Sequence, residues 1–131
     1  MSGTILLVED EPLVRDLLEA ILTDDGHDVR VFVSYEQILR AACEDSDALV
    51  IADFWGLSHQ DLDDDERQQV VAIARTVPTI VVTGRTWAQT ITAEELGLVA
   101  LLRKPFDIDE MATLVSDIFA DPATSERHPP G

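Results

Sequence analysis

The sequence predicts an α/β protein with a doubly wound, five-stranded parallel sheet and helices on both faces. Five short apolar runs of strand length alternate along the chain with longer segments of helical period. Because each helical segment can cross over between two strands, the alternation favours parallel pairing. The 131 residues suffice for one such domain but not for a second of similar size.

The five predicted strands are short and mostly rich in Val, Ile and Leu, as strands buried on both faces are. They are residues 4–8, 29–33, 48–52, 79–82 and 99–102.

The first predicted helix runs from Pro12 to Thr23, with Pro12 suited to the first turn and Gly26 to the stop. Six apolar positions are expected to form its buried stripe: Leu13, Val14, Leu17, Leu18, Ile21 and Leu22.

The other helices are predicted from their ends. Ser34 with Gln37, and Asp107 with Glu110, have the spacing of capping boxes for helices near 35–44 and 108–119. The acidic run 61–66 predicts a solvated helix N-terminus before the apolar positions of a third helix. Segment 85–97 lacks a clear apolar stripe, so we expect its helix to be short or irregular.

The remaining segment, 121–131, has little apolar content and is expected to be a disordered tail or linker stub. The domain is therefore predicted over residues 1–120.

Charge and composition exclude several classes of function. Nine basic against twenty-six acidic residues give a net charge of −17, which repels nucleic acid and anionic lipid. No apolar run is long enough for a signal peptide or a membrane span, so a cytoplasmic location is expected. Cys43 is the one cysteine and lies in an apolar helical stretch, where we expect it to be buried. The three histidines have no metal-ligand spacing.

Polar side chains stand at the carboxyl ends of the predicted strands. Glu9 and Asp10 follow the first strand, Asp53 the third and Thr83 the fourth, while Lys104 follows the fifth. Sites in such sheets form at this edge, near the switch in strand order. Three clustered carboxylates repel one another unless a cation joins them, and carboxylate oxygens suit Mg²⁺. A carboxylate beside such a metal can act as a nucleophile toward a phosphoryl group.

Four motifs carry a resemblance to a known family. "LLVEDEP", "LVIAD", "PTIVVTG" and "LLRKPF" together resemble a response-regulator receiver domain of bacterial two-component signalling, of the CheY-like superfamily, over residues 4 to 120. The resemblance implies the flavodoxin-like receiver fold. It also implies that Asp53 is a phosphoacceptor, and that the chain catalyses only its own phosphorylation and slow dephosphorylation.

The family's site residues carry over onto matching positions. The resemblance implies that Mg²⁺ is bound by Glu9, Asp10, Asp53 and the main-chain carbonyl of Trp55. It further implies that Thr83 is the switch hydroxyl and that Lys104 binds the phosphoryl group.

Three further positions are implied to tune the lifetime of the phosphoryl group. Gly84 leaves room for it, whereas Trp55 and Arg85 are bulky neighbours that obstruct an attacking water. We therefore expect slow dephosphorylation.

The signalling face departs from the family pattern. Leu57 and Asp61 stand where the family usually has Pro and Gly, and Leu101 stands where it has Tyr or Phe. The aromatic half of the usual switch is missing, so a second reading stays open. The chain is then a protein-binding module of receiver fold that signals little through phosphorylation.

The implied partners are a sensor histidine kinase or histidine phosphotransfer protein and an unknown downstream protein, with a homodimer left open. Two other classes are disfavoured. A haloacid-dehalogenase-type phosphatase needs a second Asp where Trp55 stands, and the acidic loop "EDEP" is unsuited to a flavin phosphate.

Overall fold

The computed structural model describes residues 3–9, 11–45, 47–53, 64–83, 92–103 and 107–120, without the side chains of 64–66 and Thr83. Strands and helices alternate throughout, as predicted. The strands are β1 (Thr4–Val8), β2 (Asp28–Phe32), β3 (Leu49–Asp53), β4 (Thr79–Thr83) and β5 (Ala100–Arg103). The helices are α1 (Pro12–Asp24), α2 (Tyr35–Glu44), α3 (Asp64–Thr76), α4 (Ala93–Leu96) and α5 (Ile108–Ala120).

The five strands form one sheet in the order β2-β1-β3-β4-β5, and each neighbouring pair is parallel. The predicted fold class is therefore confirmed. The strand order reverses at β1, which pairs with β2 on one side and β3 on the other. In such a sheet the ligand site lies beyond the carboxyl ends of the strands near this reversal.

The core is divided into two layers by the sheet. Alternate strand residues point to opposite faces, so neighbours such as Leu6 and Leu7 join different clusters. One cluster packs under α2, α3 and α4, and the other packs under α1 and α5. Helices therefore cover both faces, which explains why the central strands are apolar at nearly every position.

Helix α1 begins and ends close to the predicted residues. Pro12 occupies its first turn, and Gly26 follows its end with φ of 96°, a conformation that favours glycine. The predicted apolar stripe is too wide, because Leu13 is 86% exposed and Leu17 is 50% exposed. The sheet and α5 cover the opposite face of the helix, where Leu18 is fully buried.

Helix α2 has the predicted cap and one unexpected exposure. The side chain of Ser34 accepts a hydrogen bond from the main-chain amide of Gln37, as predicted. The reciprocal half of the capping box differs, because the Gln37 side chain accepts from the main-chain amide of Val33 rather than from that of Ser34. Cys43 is exposed, so the prediction that it is buried is wrong. It lies one position from Ala42, which faces the core, and adjacent helical residues point about 100° apart.

The later helices match the predictions in part. Helix α4 is a single four-residue turn, and Gly97 closes it with φ of 75°. Helix α5 begins where predicted, but the Asp107 side chain accepts from the Asp109 amide rather than from Glu110. The acidic run reaches the start of α3 at Asp64, while residues 61–63 lie outside the described part of the chain, as does 121–131.

Candidate functional site

The carboxyl ends of four strands meet along one edge of the sheet. Val8 of β1 is paired with Ala52 of β3, and the pairing of β3 with β4 and of β4 with β5 continues the row. Asp53 is the last residue of β3 and is paired with Val82, one residue before the end of β4. Any side chains that follow these strands therefore lie at the same edge.

Two carboxylates are buried at adjacent strand ends. Glu9, the first residue after β1, is 4% exposed, and Asp53 is 3% exposed. Because Val8 and Ala52 are partners, the next residues, Glu9 and Asp53, follow at the same level. The sequence predicted both residues for this edge, and the sheet register brings their backbones together.

Glu9 is held by the turn that connects β1 to α1. Its Oε1 atom accepts a hydrogen bond from the Glu11 amide at 3.1 Å. Glu11 is itself the N-cap of α1, and Pro12 then starts the helix. The main-chain amide at the start of α1 therefore fixes the position of one carboxylate oxygen of Glu9.

The donor chemistry of this pair suits a hard divalent cation. Carboxylates removed from water are costly unless hydrogen bonds or an opposite charge compensate them. Mg²⁺ is bound in proteins through one or two carboxylates, with remaining positions filled by water or phosphate oxygens. Among the described residues no cluster of three or more potential metal ligands occurs, and the third predicted carboxylate, Asp10, lies outside them.

Tyr35 extends from the start of α2 to the end of β3. It is the first residue of α2 and is 9% exposed. Its hydroxyl donates a hydrogen bond to the main-chain carbonyl of Asp53, 18 residues away. Sequence reasoning missed this contact, because nothing in the run after β2 indicates which strand a phenol will reach. The one available signal was a large aromatic residue directly after a helix cap.

The switch positions are only partly described. Leu101 is half-buried in β5 and packs against the cluster under α2, α3 and α4. Thr83 ends β4, with its side chain outside the described part. An aliphatic side chain therefore packs inward at the position where the resembled family usually has an aromatic ring.

The other predicted site residues lie outside the described part of the chain. They are Asp10, Trp55, Leu57, Asp61, Gly84, Arg85 and Lys104. Their assigned roles stay predictions.

His27 lies far from this edge. It is buried beside the start of β1, where its Nδ1 atom accepts from the Gly3 amide at 3.2 Å. It therefore has no place in a ligand set with Glu9 and Asp53. Within the described segments, no helix has the length and apolar character needed to span a membrane.

A family model and several curated proteins match most of this chain. A family model described as "Response regulator receiver domain" matches residues 5–116. A putative NtrX-like response regulator from Rickettsia bellii is 28% identical over 113 residues, covering 85% of this chain and 23% of the relative. The chain spans about a quarter of the length of the curated relatives it matches.

Two solved structures are similar in fold. NtrX from Brucella abortus has a TM-score of 0.74 at 26% identity, covering 97% of this chain and 28% of that one. The receiver domain of a sensor histidine kinase from Pseudomonas aeruginosa, described with a magnesium ion in its active-site cleft, has a TM-score of 0.71 at 24% identity. The match covers 92% of this chain and all of that domain.

Proposed function

The chain belongs to the response regulator receiver domain family, and on that premise we propose that Asp53 accepts a phosphoryl group and thereby changes the chain's affinity for a partner protein. The observation that carries the proposal is the pair of buried carboxylates, Glu9 and Asp53, at adjacent strand ends. Buried carboxylates at the carboxyl edge of a parallel sheet, beside its reversal in strand order, are expected of a site rather than of a core.

The proposed reaction is a transfer between two side chains. A carboxylate oxygen of Asp53 forms a bond to phosphorus while the bond from phosphorus to a histidine nitrogen of the donor breaks. The donor imidazole leaves, and Asp53 becomes an acyl phosphate. Lys104 and the Thr83 hydroxyl are proposed to bind the phosphoryl oxygens, where they offset negative charge.

The residues proposed to hold Mg²⁺ are Glu9, Asp10, Asp53 and the carbonyl of Trp55. When bound, the ion supplies positive charge that lowers the repulsion between these carboxylates and an incoming phosphoryl group. The buried oxygens of Glu9 and Asp53 fit this use. The magnesium described in the Pseudomonas aeruginosa receiver domain lends further support.

We further propose that the chain is not an enzyme toward other substrates and loses its phosphoryl group slowly. Trp55 and Arg85 are proposed to obstruct the attacking water. Replacing Trp55 or Arg85 by Ala is expected to shorten the half-life of the phosphorylated protein, followed by intact mass over time. A wild-type half-life of seconds, or no change in either variant, contradicts this part of the proposal.

The proposed partners are a sensor histidine kinase or histidine phosphotransfer protein and a downstream protein, with the reaction in the cytoplasm. The net charge of −17 favours a protein over nucleic acid as the direct target of this chain.

A second candidate function is a binding module that signals little through phosphorylation. The half-buried Leu101 favours it, because an aliphatic side chain lacks the ring that the family uses at this position. A partner affinity that is the same with and without the phosphoryl group supports this candidate over the first.

The proposal is tested by intact-mass analysis after incubation with a small phosphodonor and Mg²⁺. We expect one added phosphoryl group on the wild-type protein, and none on Asp53→Asn or in the presence of EDTA. Addition that persists in Asp53→Asn overturns the assignment of Asp53. No addition to the wild-type protein by either a small donor or a phosphorylated kinase overturns the proposed function.

A further inference from the structure

Tyr35 is placed by the turn that leads into α2. Ser34 caps the helix through the Gln37 amide, so Tyr35 is the first helical residue and its ring is directed inward. It belongs to the cluster that includes Leu6, Val8 and Ala52 of the two central strands. A phenol held in such a cluster keeps its polar end where a partner exists.

That partner is the main-chain carbonyl of Asp53. The hydrogen bond is 2.5 Å long and buried, and it joins the start of α2 to the end of β3. It lies where the pairing between β1 and β3 stops, since the last partners in that ladder are Val8 and Ala52. The phenol therefore adds a fixed contact at the point where the ladder to β1 no longer constrains the chain.

Holding this carbonyl fixes more than one atom. The carbonyl belongs to the peptide plane between Asp53 and Phe54, so its direction sets the ψ angle of Asp53. The side chain of Asp53 branches from the Cα atom at one end of this plane, and segment 54–63 continues the chain from its other end. A nucleophile is effective when its geometry is held to a fraction of an ångström by such supporting contacts.

We propose that Tyr35 is a positioning residue for Asp53, acting through the hydrogen bond from its hydroxyl to the Asp53 carbonyl. The proposal rests on the proposed function and adds a residue to it. Tyr35 touches no phosphoryl group itself. It orients the acceptor before the donor arrives, so its loss is expected to slow the transfer without weakening the binding of the donor.

The test is Tyr35→Phe, which removes one oxygen and keeps the ring in the cluster. We expect the limiting rate of phosphorylation by a small phosphodonor in Mg²⁺ to fall about tenfold, with the half-saturating donor concentration unchanged. Tyr35 is the one tyrosine in the sequence, so its phenol signals are assigned without ambiguity. We expect its ring resonances to shift when Mg²⁺ and the phosphoryl analogue beryllofluoride are added to the wild-type protein.

A matched control is available at the opposite end of β4. The hydroxyl of Thr79 is also buried and donates to a main-chain carbonyl, that of Val77, at 3.0 Å. Thr79→Val therefore removes the same kind of bond far from Asp53. We expect it to lower stability to a similar extent while the rate of phosphorylation stays at the wild-type value.

The outcomes separate the two proposals. If the wild-type protein and Tyr35→Phe are phosphorylated at the same limiting rate, the positioning role is wrong and the proposed function stands. If Thr79→Val slows the reaction as much as Tyr35→Phe, the effect is one of stability and the positioning role is again wrong. If the wild-type protein accepts no phosphoryl group, both proposals fail together.

Discussion

The imidazole of His27 is packed beside the start of β1, and burial shifts its pKa. Its Nδ1 atom accepts from the Gly3 amide, so the proton of the neutral ring is carried by Nε2. Nε2 is buried, and no hydrogen-bond partner for it occurs among the described residues. The ring lies 5.2 Å from that of Phe119. Burial lowers the pKa of His27 below its ordinary 6.5, against the opposing effect of the Asp25 carboxylate.

This shift makes stability depend on pH with a defined sign. Between the lowered native pKa and the unfolded value of 6.5, the unfolded chain binds more protons than the native protein. The free energy of unfolding is therefore highest above about pH 6.5 and falls as pH decreases toward the native pKa, by at most about 1.4 kcal/mol per pH unit. Urea denaturation at a series of pH values measures this slope.

The variant His27→Gln can still accept from the Gly3 amide but does not titrate, so it is expected to have a shallower slope in this range. His59→Gln and His128→Gln serve as controls. If a control variant flattens the pH dependence of the free energy of unfolding and His27→Gln does not, the assignment of this slope to His27 is wrong.

Site residues differed in how far the sequence could predict them. Glu9 and Asp53 were found from position alone, because carboxylates directly after apolar strands in a parallel sheet must lie at its carboxyl edge. Tyr35 was not found, since its hydrogen bond joins residues 18 apart and depends on how α2 packs on the sheet. Local pattern places a side chain on an element, whereas its long-range partner is fixed by packing.

Helix α1 illustrates the same limit at the scale of an element. Its start and end were predicted from Pro12 and Gly26, which act through local backbone geometry. The width of its buried face was not, because that width depends on how much of the helix the sheet and α5 cover. Cys43 in α2 was misjudged for the same reason. Composition identifies an apolar segment, and only tertiary contacts decide which of its residues are buried.

Two adjacent leucines of α1 provide a matched test of this face. Leu18 is fully buried and Leu17 is half exposed. Leu18→Ala is expected to lower the free energy of unfolding by about 2–5 kcal/mol, since it leaves a cavity in the core. Leu17→Ala removes the same atoms and is expected to cost less than about 1 kcal/mol. Equal losses in urea denaturation would mean that Leu17 is covered in solution.

Excess negative charge acts on the molecule as a whole. With a net charge of −17 in 131 residues, the compact state repels itself more than the expanded chain does. The two carboxylates buried at the strand ends lie within this field. Monovalent salt should screen the general repulsion, and Mg²⁺ should add a specific effect if it binds.

Raising NaCl from about 0.02 M to about 0.5 M is therefore expected to raise the urea midpoint. MgCl₂ at equal ionic strength is expected to raise the midpoint further, because binding at ten times the dissociation constant adds about 1.4 kcal/mol to the free energy of unfolding. The excess of MgCl₂ over NaCl is expected to vanish in Asp53→Asn. If the urea midpoint falls as NaCl is raised, charge repulsion does not limit stability. If MgCl₂ stabilises Asp53→Asn beyond NaCl as much as it stabilises the wild-type protein, Mg²⁺ does not bind at this site.

The contact between Gly3 and Phe119 has a consequence for the topology of the chain. A Cβ atom on Gly3 would lie 2.5 Å from the Phe119 ring, so the start of β1 and the last turn of α5 touch. Both ends of the described domain therefore meet at the edge opposite Glu9 and Asp53. A circular permutant closed by a short linker here and reopened in another loop would keep every strand pairing. A protein joined at either end of the described domain would start from the edge opposite Glu9 and Asp53, away from the proposed chemistry.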